Sequence, residues 1–203
     1  MKPIAESPFF RMEFQNQIAV IRFTRPKKRN PLSTVALTTL AQTLSELTTT
    51  DQPIIFTGSE DVFASGADLR EIAALQTESD VREFGLRGQN LMRTIAAASN
   101  LTIAAVNGFC FGGALDLALA CKIRIASQDA VFSHPGANLG IMTGWGGTQR
   151  LPRVIGEAAA LEMFLTAKRI EANEALQIGL VSEIAENVLQ QALYLAATTF
   201  SKT

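Results

Sequence analysis

AAVNGFCFGGALDLALAC, running from Ala104 to Cys121, joins an apolar run, a paired glycine and one carboxylate in a segment with no other charge. Ile103 to Val106 is short, rich in alanine and β-branched residues and stopped by Asn107-Gly108, which predicts a buried strand entering a turn. Gly112-Gly113 then opens a helix over Ala114 to Cys121, which is apolar on every side and is therefore expected in the interior. The backbone N–H groups at a helix start lack intrahelical partners and carry the positive end of the dipole. A glycine pair there lets an anion or a polarised carbonyl oxygen come close, with Asp116 in the same turn beside it. A plainer reading stands next to this one: Asp in a first turn is favourable by charge alone, and Gly-Gly permits tight strand-to-helix packing. The rest of the chain has to choose between them.

Working outward, the 203 residues are 47% hydrophobic and 18% charged, enough for a substantial core, and one domain over residues 1–203 is expected. A formal net charge of −1 supplies no basic field for nucleic acid, and no apolar run is long enough for a membrane span. The opening MKPIAESPFF has neither signal-peptide nor transit character, so a cytoplasmic protein is expected. Cys110 and Cys121 sit in apolar surroundings without a CxxC pair or a histidine cluster, which predicts free structural thiols and no metal site.

Upstream, FFRMEF and IAVIRF alternate around Gln15-Asn16-Gln17 as an antiparallel hairpin does. Arg25-Pro26-Lys27-Lys28-Arg29-Asn30-Pro31 breaks the strand and concentrates four cations, either a solvated loop or a face for a phosphorylated ligand. Ser33 reads as the N-cap of a helix Thr34 to Leu47 with Val35, Leu37, Leu40, Leu44 and Leu47 at helical spacing. Ile54 to Phe56 is a short buried strand. Phe63 to Leu69 repeats the motif of the central stretch, a strand running into small residues (Ala64, Gly66, Ala67) and a helix from about Asp68, with the Ala67 amide free to donate outward. That helix continues through Ile72 and Leu75, and a longer one covers Val81 to Ala98. Strand, small-residue turn and helix thus recur at Ile54 to Leu75 and Thr102 to Cys121, which points to α/β architecture.

Downstream, Ile123 to Ala126 and Ala130 to Phe132 read as strands, followed by His134-Pro135-Gly136. Gly144-Trp145-Gly146-Gly147-Thr148-Gln149-Arg150 is a third glycine-rich turn leading to a helix, without the spacing or trailing acid of a dinucleotide fold. Glu157 to Thr166 is a helix expected to bury Leu161, Phe164 and Leu165; a short helix Ala172 to Ile178 and a terminal helix Val188 to Phe200 follow.

FASGADL (Phe63 to Leu69), NGFCFGGALDLA (Asn107 to Ala118) and GGTQRLP (Gly146 to Pro152), in this order, together resemble the crotonase, or enoyl-CoA hydratase/isomerase, superfamily. The resemblance runs from RPKKRNPLS through ALQIGLVSEI, nearly the whole chain. It implies an α/β spiral of repeated ββα units with the C-terminal helical segment short or absent, a homotrimer or dimer of trimers, and an acyl-CoA thioester as substrate with no separate cofactor. It further implies an oxyanion hole formed by the backbone N–H groups of Ala67 and Gly113, within an acyl-CoA site that includes Ala64, Gly66, Asp68, Leu69, Gly112 and Gly136, and Arg25, Lys27 or Arg29 near the phosphates.

The family's first glutamate falls on Asp116, one methylene shorter and similar to dienoyl-CoA isomerases in that segment; the second falls on Gly136, which has no side chain. The extra acid of dienoyl-CoA isomerases falls near Gly144, equally bare. Two-carboxylate hydration needs a base for water and an acid for the α-carbon. The candidate replacements are His134, the chain's only histidine, with Asn138 behind it, or a water or anion bound above Gly136; His134 lies two positions before Gly136, a spacing that shares a face on a strand, and its ordinary pKa near 6.5 suits proton transfer, although a lone histidine is more often structural. Gly136→Glu is expected to restore the missing acid. Two functions follow from the resemblance: an acyl-CoA-metabolising lyase or isomerase with Asp116 as acid/base, or a non-catalytic acyl-CoA-binding protein that has lost its second carboxylate.

Overall fold

The computed structural model of the chain describes residues 5–200. After a two-residue edge strand β1 (Ala5–Glu6), β2 (Phe10–Gln15) and β3 (Ile18–Phe23) form the expected hairpin. Gln15 pairs with Ile18, so the turn is only Asn16-Gln17, and both have positive φ (49° and 65°), the backbone a two-residue hairpin needs to match strand twist. β4 (Pro31–Leu32) leads into α1 (Thr34–Leu47), where the Ser33 hydroxyl accepts from the Ala36 amide as an N-cap. Val35, read with the apolar set, points outward instead.

Three successive units then build the spiral. β5 (Ile54–Thr57) and β6 (Val62–Ala64) precede β7 (Gly66–Ala67), α2 (Leu69–Ala73) and α3 (Glu78–Ala97). β8 (Thr102–Val106) and β9 (Phe109–Phe111) precede α4 (Gly113–Ala120). β10 (Ile123–Ala126) and β11 (Val131–Ser133) precede a 3₁₀ turn Pro135–Leu139, α5 (Gly147–Ile155) and α6 (Glu157–Thr166). In each unit the first strand joins a seven-stranded sheet, β1-β2-β3-β5-β8-β10 and then β13 (Glu183–Ile184), and the second joins a four-stranded sheet that starts with β12 (Ile170–Glu171) and continues β11-β9-β6. β12 (Ile170–Glu171), α7 (Ala172–Gln177), β13 (Glu183–Ile184) and α8 (Val188–Phe200) complete the order.

The central strands β5 and β8 of the large sheet are buried on both sides, which is why they are apolar runs, whereas β2 near its edge alternates. Successive residues go to opposite layers: Ile54 and Phe56, with Ala104 and Val106, enter the main core, whereas Ile55, Ile103, Ala105 and Ile125 meet Val188, Ala192 and Ala196 of α8. At about 1.5–3 kcal/mol for each fully buried aliphatic side chain, the α8 layer is a major stabilising element.

Several expectations are corrected. α2 stops at Ala73 rather than reaching Leu75, and α3 begins at Glu78 because Thr77 and Asp80 form a reciprocal capping box. Phe109 to Phe111, between the turn at Asn107-Gly108 and the helix start at Gly112-Gly113, adds a strand held by β6 and β11. Leu161 and Leu165 are not buried: they are 57% and 63% exposed, whereas Phe164 is buried as expected.

Candidate active site

Gly66 and Ala67 are held as β7 by parallel pairing with β4. Pro31 lies opposite Gly66 and has no N–H to donate, so Gly66 takes the ladder bonds at this point and the next residue, Ala67, turns its amide away from β4. This turn lies directly on the start of α4: a Cβ at Gly66 would sit 2.5 Å from the Gly113 nitrogen and 2.6 Å from the Phe111 carbonyl oxygen. Gly112 has φ 54° and ψ −124°, a conformation that L side chains avoid, and delivers Gly113 as the first helical residue, whose N–H has no intrahelical acceptor. The two small-residue turns of the sequence are therefore one structure.

That structure borders a cavity of about 670 Å³. Ala67, Gly112 and Gly113 line it, as do Asp68 and Leu69; Ala64 and Gly66 do not, being the packed layer behind. Ile72, Leu75, Val81, Phe84, Ile141 and Trp145 make much of its wall apolar. Lys28 and Arg29 reach the lining, while Arg25, stacked over the Phe9 ring, and Lys27 stand outside it. Asp68 caps α2 through the Arg70 amide and pairs with the Arg70 guanidinium, whose hydrogen bond holds the carboxyl below the ordinary carboxylate range.

Asp116 is 0% exposed and is not part of the cavity lining. Burial pushes its pKa up to about 7, against the opposing pull of the Thr143 hydroxyl, the Trp145 amide and the Arg150 charge. Thr143 donates a short hydrogen bond to Oδ2. Oδ1 occupies the space that a Cβ on Gly147 would need, which explains the last glycine of the GWGG turn. His134 Nε2 lies 3.5 Å from Oδ1, and neither ring nitrogen nor Oδ1 has a hydrogen-bond partner among the described residues. Among the described residues no three His, Cys, Asp or Glu side chains converge as a metal site would require.

His134 does reach the cavity, but not for the reason its spacing suggested. β11 ends at Ser133, and His134 caps the 3₁₀ turn, so strand alternation does not orient it. Its titration near neutrality is also corrected: burial alone lowers its pKa to about 4. The imidazole is neutral at pH 7, and its approach to Asp116 is not an ion pair. Gly136 lines the cavity, yet a Cβ there would overlap the Ile141 carbonyl oxygen, whose own amide bonds back to Gly136. Gly136→Glu therefore does not simply restore an acid. At Gly144 the space is open. Thr143 and the Trp145 indole carry no signal of a site role in the sequence, because their place is set by a loop whose residues have no periodicity.

A ββα spiral with paired small-residue turns beside a buried acid defines the crotonase-like class of α/β enzymes. A family profile described as enoyl-CoA hydratase/isomerase matches residues 13–203. A crotonyl-CoA hydratase of Syntrophomonas wolfei is 40% identical over 200 residues, covering 94% of this chain and 75% of that protein. A short-chain-enoyl-CoA hydratase of Clostridium acetobutylicum is 39% identical over 178 residues, covering 86% and 68%. Among solved structures, an enoyl-CoA hydratase from Bacillus anthracis superposes with a TM-score of 0.88 at 32% identity, over 94% of this chain and 76% of that one. The chain belongs to the enoyl-CoA hydratase/isomerase family, and it is an enzyme of the hydratase/isomerase type.

Proposed function

We propose that the protein hydrates the double bond of an enoyl-CoA thioester, with the thioester oxygen held by the amides of Ala67 and Gly113 and Asp116 as acid/base. The observation that carries this reading is the seating of the Gly66-Ala67 turn on the unpartnered amide of Gly113 at an apolar cavity. Attack at the β-carbon pushes charge onto the thioester oxygen, and each fixed backbone donor aimed at that charge is worth about 3 kcal/mol. Asp116, divided between its ionised and protonated forms near pH 7, is poised to exchange a proton near the operating pH.

The cationic segment Arg25, Lys27, Lys28 and Arg29 attracts the phosphorylated end of CoA, with Lys28 and Arg29 nearest the cavity. The CoA thioester is the substrate, and no other cofactor takes part. In this reading residues 1–203 act as one acyl-CoA-binding domain, homotrimeric or a dimer of trimers, in cytoplasmic fatty acid metabolism. Two free, buried thiols at Cys110 and Cys121 suit a reducing compartment. The non-catalytic alternative is not favoured, since relatives at about 40% identity are named as hydratases.

The test is turnover of enoyl-, dienoyl- and malonyl-CoA followed by mass spectrometry, with calorimetry of CoA thioester binding alongside. Addition of 18 Da to an enoyl-CoA, lowered at least about a hundredfold by Asp116→Asn, is the expected result. A folded sample that neither binds nor converts any member of the panel removes the proposal.

A further inference from the structure

A fully buried carboxylate that does not line the cavity exchanges protons with a substrate only through a neighbour that does. Two cavity-lining side chains touch Asp116: His134 and Thr143. His134 is itself buried and its Nε2 stands 3.5 Å from Oδ1, long for a hydrogen bond. Thr143 is partly exposed, and its hydroxyl bonds directly to Oδ2. A hydroxyl has one proton and two lone pairs. With the proton committed to Asp116, Thr143 presents only acceptor capacity to anything else within reach, which suits it to receive a proton from water.

We propose that Thr143 is a catalytic residue, the hydroxyl through which the buried carboxylate of Asp116 takes a proton from the attacking water and returns one to the α-carbon. This rests on the hydration reading above. In the forward direction the water oxygen bonds to the β-carbon, and the π pair moves to the thioester enolate. The water's proton passes to Thr143 Oγ1 as Thr143's own proton passes to Asp116 Oδ2. In the second half Asp116 returns its proton to Thr143, and Thr143 gives one to the α-carbon as the enolate collapses. H and OH have been added, and no proton is left over. One carboxylate serves both halves, so the bare position at Gly136 leaves nothing missing.

Asp116 is faced by His134 from the turn after β11, Arg150 from α5, Cys110 from β9, and the Thr143 hydroxyl and Trp145 amide from the loop before α5. Of these contacts the Thr143 bond lowers its pKa, so deleting that hydroxyl should move the Asp116 titration upward. The test compares wild type with Thr143→Val, Thr143→Ser and Asp116→Asn. It measures kcat and KM on the best enoyl-CoA and the Asp116 carboxyl by infrared titration without substrate, with circular dichroism to verify folding.

Thr143→Val should lose at least about a hundredfold in kcat with KM little changed, as expected for lost acid–base transfer, and its carboxyl should titrate higher. Thr143→Ser should keep both properties near wild type. If Thr143→Val retains kcat within about threefold while Asp116→Asn is inactive, the relay is overturned and the hydration reading stands. A raised titration with unchanged kcat likewise reduces the bond to structure and overturns the relay. A wild type that turns over no CoA thioester overturns the hydration reading and the relay with it.

Discussion

Between about pH 4 and pH 6.5 Asp116 and His134 are both uncharged in the folded chain, although free in water the carboxyl would be ionised and the imidazole protonated. Their contributions to stability run in opposite directions. Asp116 has its folded pKa raised from 3.8 to about 7, so it favours folding below pH 3.8 and that contribution is lost as pH rises to about 7. His134 has its folded pKa lowered from 6.5 to about 4, so its contribution is present above pH 6.5 and is lost as pH falls to about 4. In the shared window the folded chain holds one proton on Asp116 that the unfolded chain lacks and lacks one on His134 that the unfolded chain holds, and the pair nearly cancels. Denaturant titrations should show this. Relative to wild type, Asp116→Asn should gain stability as pH rises from 4 to 6.5, by up to about 1.4 kcal/mol per pH unit, and His134→Gln should lose it at a similar rate. Parallel slopes for the two variants, or none, would show that the pair does not titrate in this way.

At the α3–α4 contact glycines stand beside the buried apolar residues Leu91, Met92 and Ile95 of α3. Trp145 lies between the two helices, and a Cβ on either Gly88 or Gly113 would fall inside the indole's van der Waals envelope. Phe84 closes the slot from α3 at 5.7 Å between ring centroids. The indole thereby backs the very residue whose amide faces the cavity. Gly88→Ala should destabilise by about 1–3 kcal/mol through overpacking. In a Trp145→Leu background the same change should become stabilising by about 0.5–1 kcal/mol, since alanine is the better helix former once the slot is empty. A urea double-mutant cycle measures the coupling; identical Gly88→Ala effects in both backgrounds would mean that the slot exerts no steric constraint.

Leu161 and Leu165, one turn apart on α6, have helical spacing that reads as core, yet both face outward. The pattern and the exposure agree if α6 is covered in an assembly, because large apolar side chains repeated on one helical face are a mark of an interface. With the proposed homotrimer, light scattering on a 21.9 kDa chain should give about three or six times that mass, the larger being the dimer of trimers. The double substitution Leu161→Glu and Leu165→Glu should shift the population toward monomer while leaving the circular dichroism of the fold intact. A monomeric wild type, or an unchanged assembly in the variant, would show that α6 is not buried this way.

Local chemistry was enough to place much of the chain. Ser33 and the leucines at helical spacing after it locate α1, Glu157–Thr166 and Val188–Phe200 have the bounds read from their residues, and the recurrence of strand, small residues and helix pointed to the α/β architecture. The three motifs carried the family because glycine and alanine at strand-to-helix turns record a close approach in the sequence itself. What tertiary structure decided depends on residues far apart in the chain. β9 is a strand because β6 and β11 flank it, and β7 because Pro31 lies alongside. Whether a carboxylate or an imidazole is charged depends on the water and dipoles around it, and folding removes that water from Asp116 and His134 together. Gly136 has the composition of a vacated catalytic position, but the Ile141 carbonyl fills the space where a side chain would start, and only the folded loop shows it.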